Sequence, residues 1–392
     1  MNKQNFLWFL KLALILWAGV FLRTYLAFNM PLNHDTRIWD TLKDAWAMGQ
    51  SPYSTQFHYI YAVPWFYVIS LTSFLAGMAD FPFVIAIKFP LILADMGLFF
   101  LLIASCRRLE MSREKALFCA ACFFLNPISL MTTGVHGQFD NISLLFLLLA
   151  WFAFSFKSKN PLIWGCLFLS LSVWVKHFTA MIAFVMAFSR KKMTQRTSVI
   201  LTAPVIFAAS FLFYWKDFQI INKYVVQYNL NGGYWGWSGV ICRSLLFFTG
   251  YDLIQHPLFY YIKYFNGLLY VAIIGASWWV VKRYSLLDSI LIIFLIFYTF
   301  TTQIGVQYTL WLLPFAVLKP NRYLLAYTIT GAVQLAAFYY CHYHWWLKIP
   351  IEGTLQNLIP ETYVLFRYLT WVVCALWLFH YLRVGRRAAQ TV

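Results

Sequence analysis

The chain has 392 residues, of which 62% are hydrophobic and 11% charged. That charge content is less than half the roughly 25% of soluble domains, which excludes an ordinary soluble globular protein. The formal net charge is +17, but the basic residues sit in short stretches beside apolar runs. There they read as topology signals and contacts to anionic lipid rather than as a nucleic-acid surface.

In chain order, the first apolar run, residues 6–28, is too long for a signal-peptide core and lacks a small-residue cleavage site, so it is expected to remain as an anchor. Basic clusters then recur: Arg107/Arg108/Arg113/Lys115, Lys157/Lys159, Arg190/Lys191/Lys192/Arg196, Lys282/Arg283, Lys319/Arg322 and Arg383/Arg386/Arg387. If all of them face the cytoplasm, consecutive clusters are separated by an even number of crossings. The expected spans are 7–28, 83–105, 116–131, 141–156, 161–175, 177–189, 198–214, 262–281, 286–300, 307–318, 323–340 and 363–382. The expected fold is thus an all-α polytopic membrane protein of about twelve transmembrane helices, with both termini cytoplasmic. Segment 61–79 is apolar enough to cross, but a crossing there would place Arg107 to Lys115 outside. It is therefore read as juxtamembrane or re-entrant, with backbone that protein or water must satisfy. Three long aromatic segments, 29–60, 215–261 and 341–362, fall on the outer side, and the chemistry is expected there. The seven cysteines offer only one close pair, Cys119 and Cys122, inside an apolar run with no His at zinc spacing, so they read as buried structural residues.

The first outer segment carries Asp35, Asp40 and Asp44. Trp39, Leu42 and Trp46 recur near helical spacing, so Asp35 to Met48 is expected as an amphipathic helix on the interface, ended by "GQSPY". Asp35, expected just ahead of that helix, is the candidate general base for a sugar hydroxyl; a solvated polar face is the plainer reading of all three carboxylates. Arg37 and Asp44 join the candidate binding residues, as does Tyr59 in the aromatic stretch that follows.

Next comes "TTGVHGQFDNISLLF". Asn126-Pro127 upstream marks a broken helix end, and His136, Gln138 and Asp140 gather around Gly137, where backbone or ligand can approach closely. Asp140 has a second reading as a helix cap. One His with one Asp four residues on is too few ligands for a metal. Lys176-His177, an ionisable pair amid apolar sequence, is a functional candidate by default, fit to hold a phosphate; a Lys snorkelling from a helix end is the alternative. Gln307, Tyr308 and Trp311 share a helical face suited to sugar hydroxyls and isoprene units, or to an aromatic belt. The Gly- and aromatic-rich stretch 227–240 reads equally as a lid or an interfacial anchor. His342 and His344 lack a third ligand nearby and read as interface residues.

"GQSPY" followed by an aromatic-Pro segment, "NPISLMTTGVHGQFD" and "VQYTLWLLPF" together resemble the polytopic glycosyltransferases of the GT-C class. The resemblance is to the bacterial mannosyltransferase-like branch related to the enzymes that build GPI anchors; a similar His/Gln pattern occurs in the dolichyl-phosphate-glucose-dependent transferases. It covers roughly residues 7–190 and the "QYTLWLLP" stretch. It implies a single membrane domain over 1–392, with a catalytic module at 7–190 that includes the first outer loop, 29–79, and a variable module at 191–392. It also implies a polyprenyl-phosphate-linked hexose donor, mannose favoured over glucose, transferred with inversion to a lipid-linked or envelope glycan. The acidic residue of the first loop is the implied base, and Asp35 is its best match. In the GPI branch the acidic residues sit closer to an Asp-Ala pair matching Asp44-Ala45, so Asp40 stays open beside Asp35. Lys176, His177 or Arg37 would support the departing phosphate. Neither cofactor nor metal is required on this reading. The expected location is a bacterial inner membrane, with the site facing the periplasm and lipids as the surrounding partner. A lipid-linked sugar flippase is the rival of another class, although transporters usually show repeated halves and none is visible. A non-catalytic membrane scaffold is the third reading.

Overall fold

A computed structural model describes the chain except residues 1–2, 31–32, 55–58, 157–158, 227–234, 250–257, 344–353 and 391–392. Among the described residues all regular structure is helical. Among the described residues, five helices are long and apolar enough to cross a membrane: Lys3–Asn29, Phe83–Arg108, Tyr264–Val281, Arg322–Cys341 and Leu358–Val384. The number rises to seven if each of two bent pairs, Arg113–Phe124 with Pro127–His136 and Met193–Ala209 with Leu212–Val225, is one span. The other apolar helices are shorter than the ~20 residues of a perpendicular crossing.

The chain divides into two compact units. The first comprises Met1–Thr179, Thr202–Ile221 and Leu313–Pro320. It is built on α1 (Lys3–Asn29), α2 (His34–Leu42), α3 (Val63–Met78), α4 (Phe83–Ala86), α5 (Phe89–Arg108), α6 (Arg113–Phe124), α7 (Pro127–Leu130), a π-helical turn (Met131–His136), α8 (Asp140–Ser155) and α9 (Pro161–Val175). Helix α5 packs against α6 and α8, and α8 against α9. At one end of this unit Lys11 pairs with Glu114 at 3.1 Å, near Arg113 and Lys115. Arg107 and Arg108 close α5 at its carboxyl end. The opposite end gathers the carboxyl ends of α1 and α6 and the amino ends of α5 and α8.

Inside the unit, Arg23 and Asp95 are wholly buried and joined at 2.7 Å. Buried ions are tolerable only when paired and fully hydrogen-bonded, and these are. Arg23 donates to the carbonyl of Phe124 (2.7 Å), the carbonyl of Gly19 (3.1 Å) and Ser129 Oγ (2.7 Å). Asp95 accepts from Thr133 Oγ1 (2.6 Å) and Asn141 Nδ2 (3.0 Å). One knot thereby ties α1, α5, the π turn and α8. Its position also explains Gly134, where a Cβ would stand 2.9 Å from Leu26 Cβ and 3.1 Å from the Arg23 carbonyl.

The second unit comprises Ala180–Leu201, Asn222–Leu312 and Asn321–Val392. Helix Arg322–Tyr343 lies along Thr354–Gln390, which also packs on Leu286–Phe300. The carboxyl end of Leu286–Phe300 is closed by three indoles: Trp235 donates to the carbonyl of Tyr298 (2.7 Å), Trp371 to that of Thr299 (2.9 Å) and Trp237 to that of Phe300 (2.9 Å). The last turn of a helix leaves carbonyls without partners, and in an apolar setting aromatic N–H groups satisfy them without adding charge.

Three expectations need correction. The stretch 307–318 is not one helix but a 3-10 turn, Val306–Leu310, followed by a single α turn, Leu313–Ala316; Pro314 has no N–H to continue the first turn. The expected loop 215–261 contains a helix, Gly236–Thr249. Trp235 immediately precedes it and is buried, with the backbone N–H of Trp235 on the Thr302 carbonyl at 3.2 Å. The amphipathic helix expected to run to Met48 ends at Leu42 and continues as turns. Residues 227–234 of the lid candidate 227–240 lie outside the described residues, as do Lys157, His344 and the side chains of His342, Arg386 and Arg387.

Candidate active site

The site lies at the end of the first unit away from Lys11 and Arg113. Helix α2 starts there with a reciprocal capping box. Thr36 N–H donates to Asn33 Oδ1 (3.0 Å), and Asn33 N–H donates to Thr36 Oγ1 (2.8 Å), which satisfies two of the donors a helix start leaves open. Because Asn33 is the cap, Asp35 falls in the first helical turn and not ahead of the helix as expected. Trp39 and Leu42 are buried one and two turns on. Trp39 meets Trp65 edge-on at 5.0 Å, and Phe139 stacks on Trp65 at 4.2 Å. These rings lock α2 and α3 to the loop that follows the π turn.

The path to that loop begins where α6 breaks. Asn126 accepts from the N–H of Ile128 at 3.0 Å, which caps α7 after Pro127. The π turn then carries the chain to His136. Gly137 has φ 74°, a left-handed conformation that costs residues with a Cβ roughly 1–2 kcal/mol. It reverses the chain so that His136 and Gln138 face the same group.

That group is Asp35. His136 Nε2 donates to Asp35 Oδ2 at 2.9 Å, and Gln138 Nε2 donates to the same oxygen. The second oxygen, Oδ1, meets the Tyr61 hydroxyl at 3.4 Å, with Gln138 Nε2 also 3.4 Å from that hydroxyl. On the other side of Gln138, its Oε1 accepts from Lys176 Nζ at 3.3 Å, and Lys176 donates to Asp140 Oδ2 at 2.5 Å. The ammonium lies 4.9 Å from the centre of the Phe139 ring and 5.8 Å from that of Tyr61. The chain of contacts Asp140–Lys176–Gln138–Asp35–His136 runs through one cluster. Lys176 fixes the Gln138 amide with its oxygen inward, so its NH2 points at Asp35.

Exposure differs sharply along this chain. The Asp140 side chain is 0% exposed and Lys176 9%, whereas Asp35 keeps 16%. Asp35 is therefore the carboxylate a ligand can reach. Burial pushes its pKa up. The hydrogen bond from His136, the charges of His136 and Lys176, and the Gln138 amide outweigh burial and hold it below the usual carboxylate value. With Oδ2 saturated by two donors, Oδ1 is the oxygen open to an incoming proton.

The remaining candidates lie elsewhere. Arg37 is exposed on α2. Asp40 pairs with Lys43 at 3.0 Å. Asp44 is exposed, 3.4 Å from Ser73 Oγ, and lines a cavity of about 740 Å³ together with Lys43, Tyr67, Phe74 and Met78. Tyr59 is buried and donates to the carbonyl of Ala62 at 2.9 Å, so its hydroxyl serves the entry to α3. His177 turns from the cluster toward Phe207, 5.9 Å between ring centres. Gln307, Tyr308 and Trp311 belong to the second unit. There Tyr308 stacks on Trp311 at 4.0 Å, and Trp311 is buried. Asp140 opens α8 without capping it by its side chain, which goes to Lys176 instead. Among the described residues, no three His, Cys, Asp or Glu side chains come together as metal ligands.

Tyr61 and Lys88 are the residues sequence reasoning missed. Tyr61 sits two residues after Tyr59 in a run of aromatics with nothing local to set it apart. Lys88 and the Arg23–Asp95 pair carried a usable signal, since ionisable residues within long apolar runs are functional candidates by default. No protein-family model matches the chain, and no curated protein matches it.

Proposed function

We propose that this chain is an inverting membrane glycosyltransferase of the GT-C class, moving a hexose, mannose favoured over glucose, from a polyprenyl-phosphate donor to a glycan acceptor. One observation carries the reading. Asp35 is a partly exposed carboxylate with one oxygen saturated by His136 and Gln138, and the cation of Lys176 stands one amide away.

The acceptor hydroxyl would lie against Asp35 Oδ1. Its oxygen attacks the anomeric carbon as the bond from that carbon to the lipid phosphate oxygen breaks. The hydroxyl proton passes to Asp35, which becomes neutral, and the phosphate leaves with one further negative charge. A carboxylate of low pKa is a weak base in the ground state, but the hydroxyl becomes strongly acidic as its oxygen bonds to carbon. Proton transfer is then needed only late. The departing phosphate needs cationic support, not an acid, and an ammonium in a site that excludes water is worth far more than one in water. Lys176 supplies it by exchanging Gln138 for the phosphate while Asp140 keeps it in place.

The reading carries a topology with it. The site end is opposite the basic end of the first unit, which on the rule of positive residues inside supports a reading in which Asp35 faces the extracytoplasmic side; the membrane proposed is a bacterial inner membrane. The short apolar helices are then counted toward about twelve spans, each crossing completed by local thinning of the bilayer or by non-helical backbone buried within the bundle. The test is incubation of the purified full-length protein with polyprenyl-phosphate mannose and, separately, glucose, reading free lipid phosphate by mass spectrometry. Release above that of Asp35→Asn with either sugar supports the reading. Equal release by both proteins, with both folded, removes it.

A further inference from the structure

Lys88 lies at the junction of α4 and α5 and is wholly buried. Among the described residues it forms no ion pair. Its three N–H groups go to three backbone carbonyls: Met30 at 2.5 Å, Gly134 at 2.9 Å and Val135 at 3.1 Å. A buried ammonium without a counter-ion is costly, so the position calls for a role that a methionine would not fill.

The three carbonyls have one thing in common. Met30 directly follows α1, and Gly134 and Val135 lie in the last residues of the π turn, just ahead of His136. The final carbonyls of a helix have no partner within it, and here water is excluded. Both chain breaks lead straight to the site: α1 hands over to Asn33 and Asp35, and the π turn ends on His136. Asn33 completes the link, its Nδ2 donating to the carbonyl of His136. Gly137, next along, keeps the Lys88 stem close, since a Cβ there would stand 3.2 Å from Lys88 Cε.

We infer that Lys88 is a positioning residue for the Asp35–His136 pair: one ammonium closes the end of α1 and the end of the π turn together, and so sets the register in which carboxylate and imidazole meet. Its effect on transfer rests on the glycosyltransferase reading, but its effect on Asp35 does not. Without the ammonium the two breaks separate to find other donors, His136 moves off Asp35 Oδ2, and the carboxylate loses a donor and a nearby positive charge. Both losses raise the pH at which Asp35 takes up its proton.

The experiment uses full-length protein in detergent. The carboxyl band of Asp35 is assigned by infrared difference against Asp35→Asn and followed with pH in the parent, Lys88→Met and Lys88→Arg. The Met variant is expected to take up the Asp35 proton about one pH unit higher or more, and to transfer sugar about a hundredfold more slowly, the scale of a small misplacement. Lys88→Arg, which keeps charge and donors, is expected to return most of the infrared shift. A folded Met variant whose Asp35 titrates as in the parent overturns the inference, whatever its rate, because a merely structural lysine would slow transfer without moving that titration. If Lys88→Met cannot be purified, Lys88→Gln is measured against the same criterion. Should the parent transfer no sugar while the titration still shifts, the positioning role stands and the transferase reading falls.

Discussion

Asp35 and His136, 101 residues apart in the chain, meet at 2.9 Å with the imidazole on the same carboxylate oxygen that Gln138 occupies. The pairing joins the segment after the first long helix to the loop after a broken one. It leaves a single carboxylate oxygen for chemistry. If Asp35 is the base, Asp35→Asn keeps the shape and removes the proton acceptor. Transfer is expected to fall by about 10²- to 10⁴-fold, the range of a general base, with donor binding little changed. Rates and donor affinities measured side by side check this.

The pH dependence follows from the direction of the Asp35 shift. Its pKa in the folded protein is held below the ordinary carboxylate value by His136, Lys176 and Gln138, against burial. The ionised form, and the stability its interactions contribute, is present above the unfolded value and lost as pH falls through the lower, folded one. Transfer should therefore hold into mildly acid solution and fall only below the usual carboxylate range. His136→Gln removes the charged partner, so the acid limb of the rate profile should move to higher pH. A profile that keeps its acid limb in this variant would show that another group sets it.

Lys176 and Asp140 are a buried pair, 9% and 0% exposed. Removing either partner of such a pair leaves a stranded charge and typically costs about 3–5 kcal/mol. Asp140→Asn is expected to lower the thermal midpoint in detergent well below that of a surface control such as Asp44→Asn, whose carboxylate is exposed. Lys176→Met should do the same and also abolish transfer. Differential scanning of the variants at equal detergent concentration gives the comparison.

Gly137→Ala tests the loop that aims His136 and Gln138. The left-handed φ of 74° costs alanine roughly 1–2 kcal/mol, and the new Cβ sits 3.2 Å from Lys88 Cε and 3.5 Å from Thr36 Cγ2. A small drop in midpoint together with a disproportionate loss of transfer is the expected outcome. A loss of stability alone would mean that the loop tolerates the substitution without moving its side chains.

Buried Arg23 and Asp95 brace the same turn from the other side, through Ser129 and Thr133. Asp95→Asn should destabilise the protein by about 3–5 kcal/mol, read as a loss of folded material in size-exclusion chromatography. Arg23→Lys, with Asp95 intact, should also destabilise the protein, because one ammonium cannot reproduce the guanidinium's separate bonds to Asp95, the Gly19 and Phe124 carbonyls and Ser129.

Much was legible from residue order because hydropathy and helix punctuation are local properties. The run over 6–28 became α1, Asn126-Pro127 became the break in the chain after α6, and His136, Gln138 and Asp140 were visible as polar residues at the mouth of an apolar stretch. The start of α2 was misplaced because a side-chain bond settles it: the Asn33–Thr36 capping box drew Asp35 into the helix. The 3-10 turn at Val306–Leu310 escaped because its aromatic pattern repeats as an α-helix does.

By itself the sequence determined an all-helical, strongly apolar chain with basic residues between its apolar runs and a few ionisable groups that such a setting does not carry idly. Only the tertiary structure decided their roles. It gave Lys176 to Asp140, turned His177 to Phe207, spent the Tyr59 hydroxyl on the Ala62 carbonyl, and brought Tyr61 to Asp35 and Lys88 to the breaks beside it. The physical reason is that a charge withdrawn from water must find its partners in space, and the nearest suitable donors and acceptors lie on helices distant in the chain, where no spacing rule reaches.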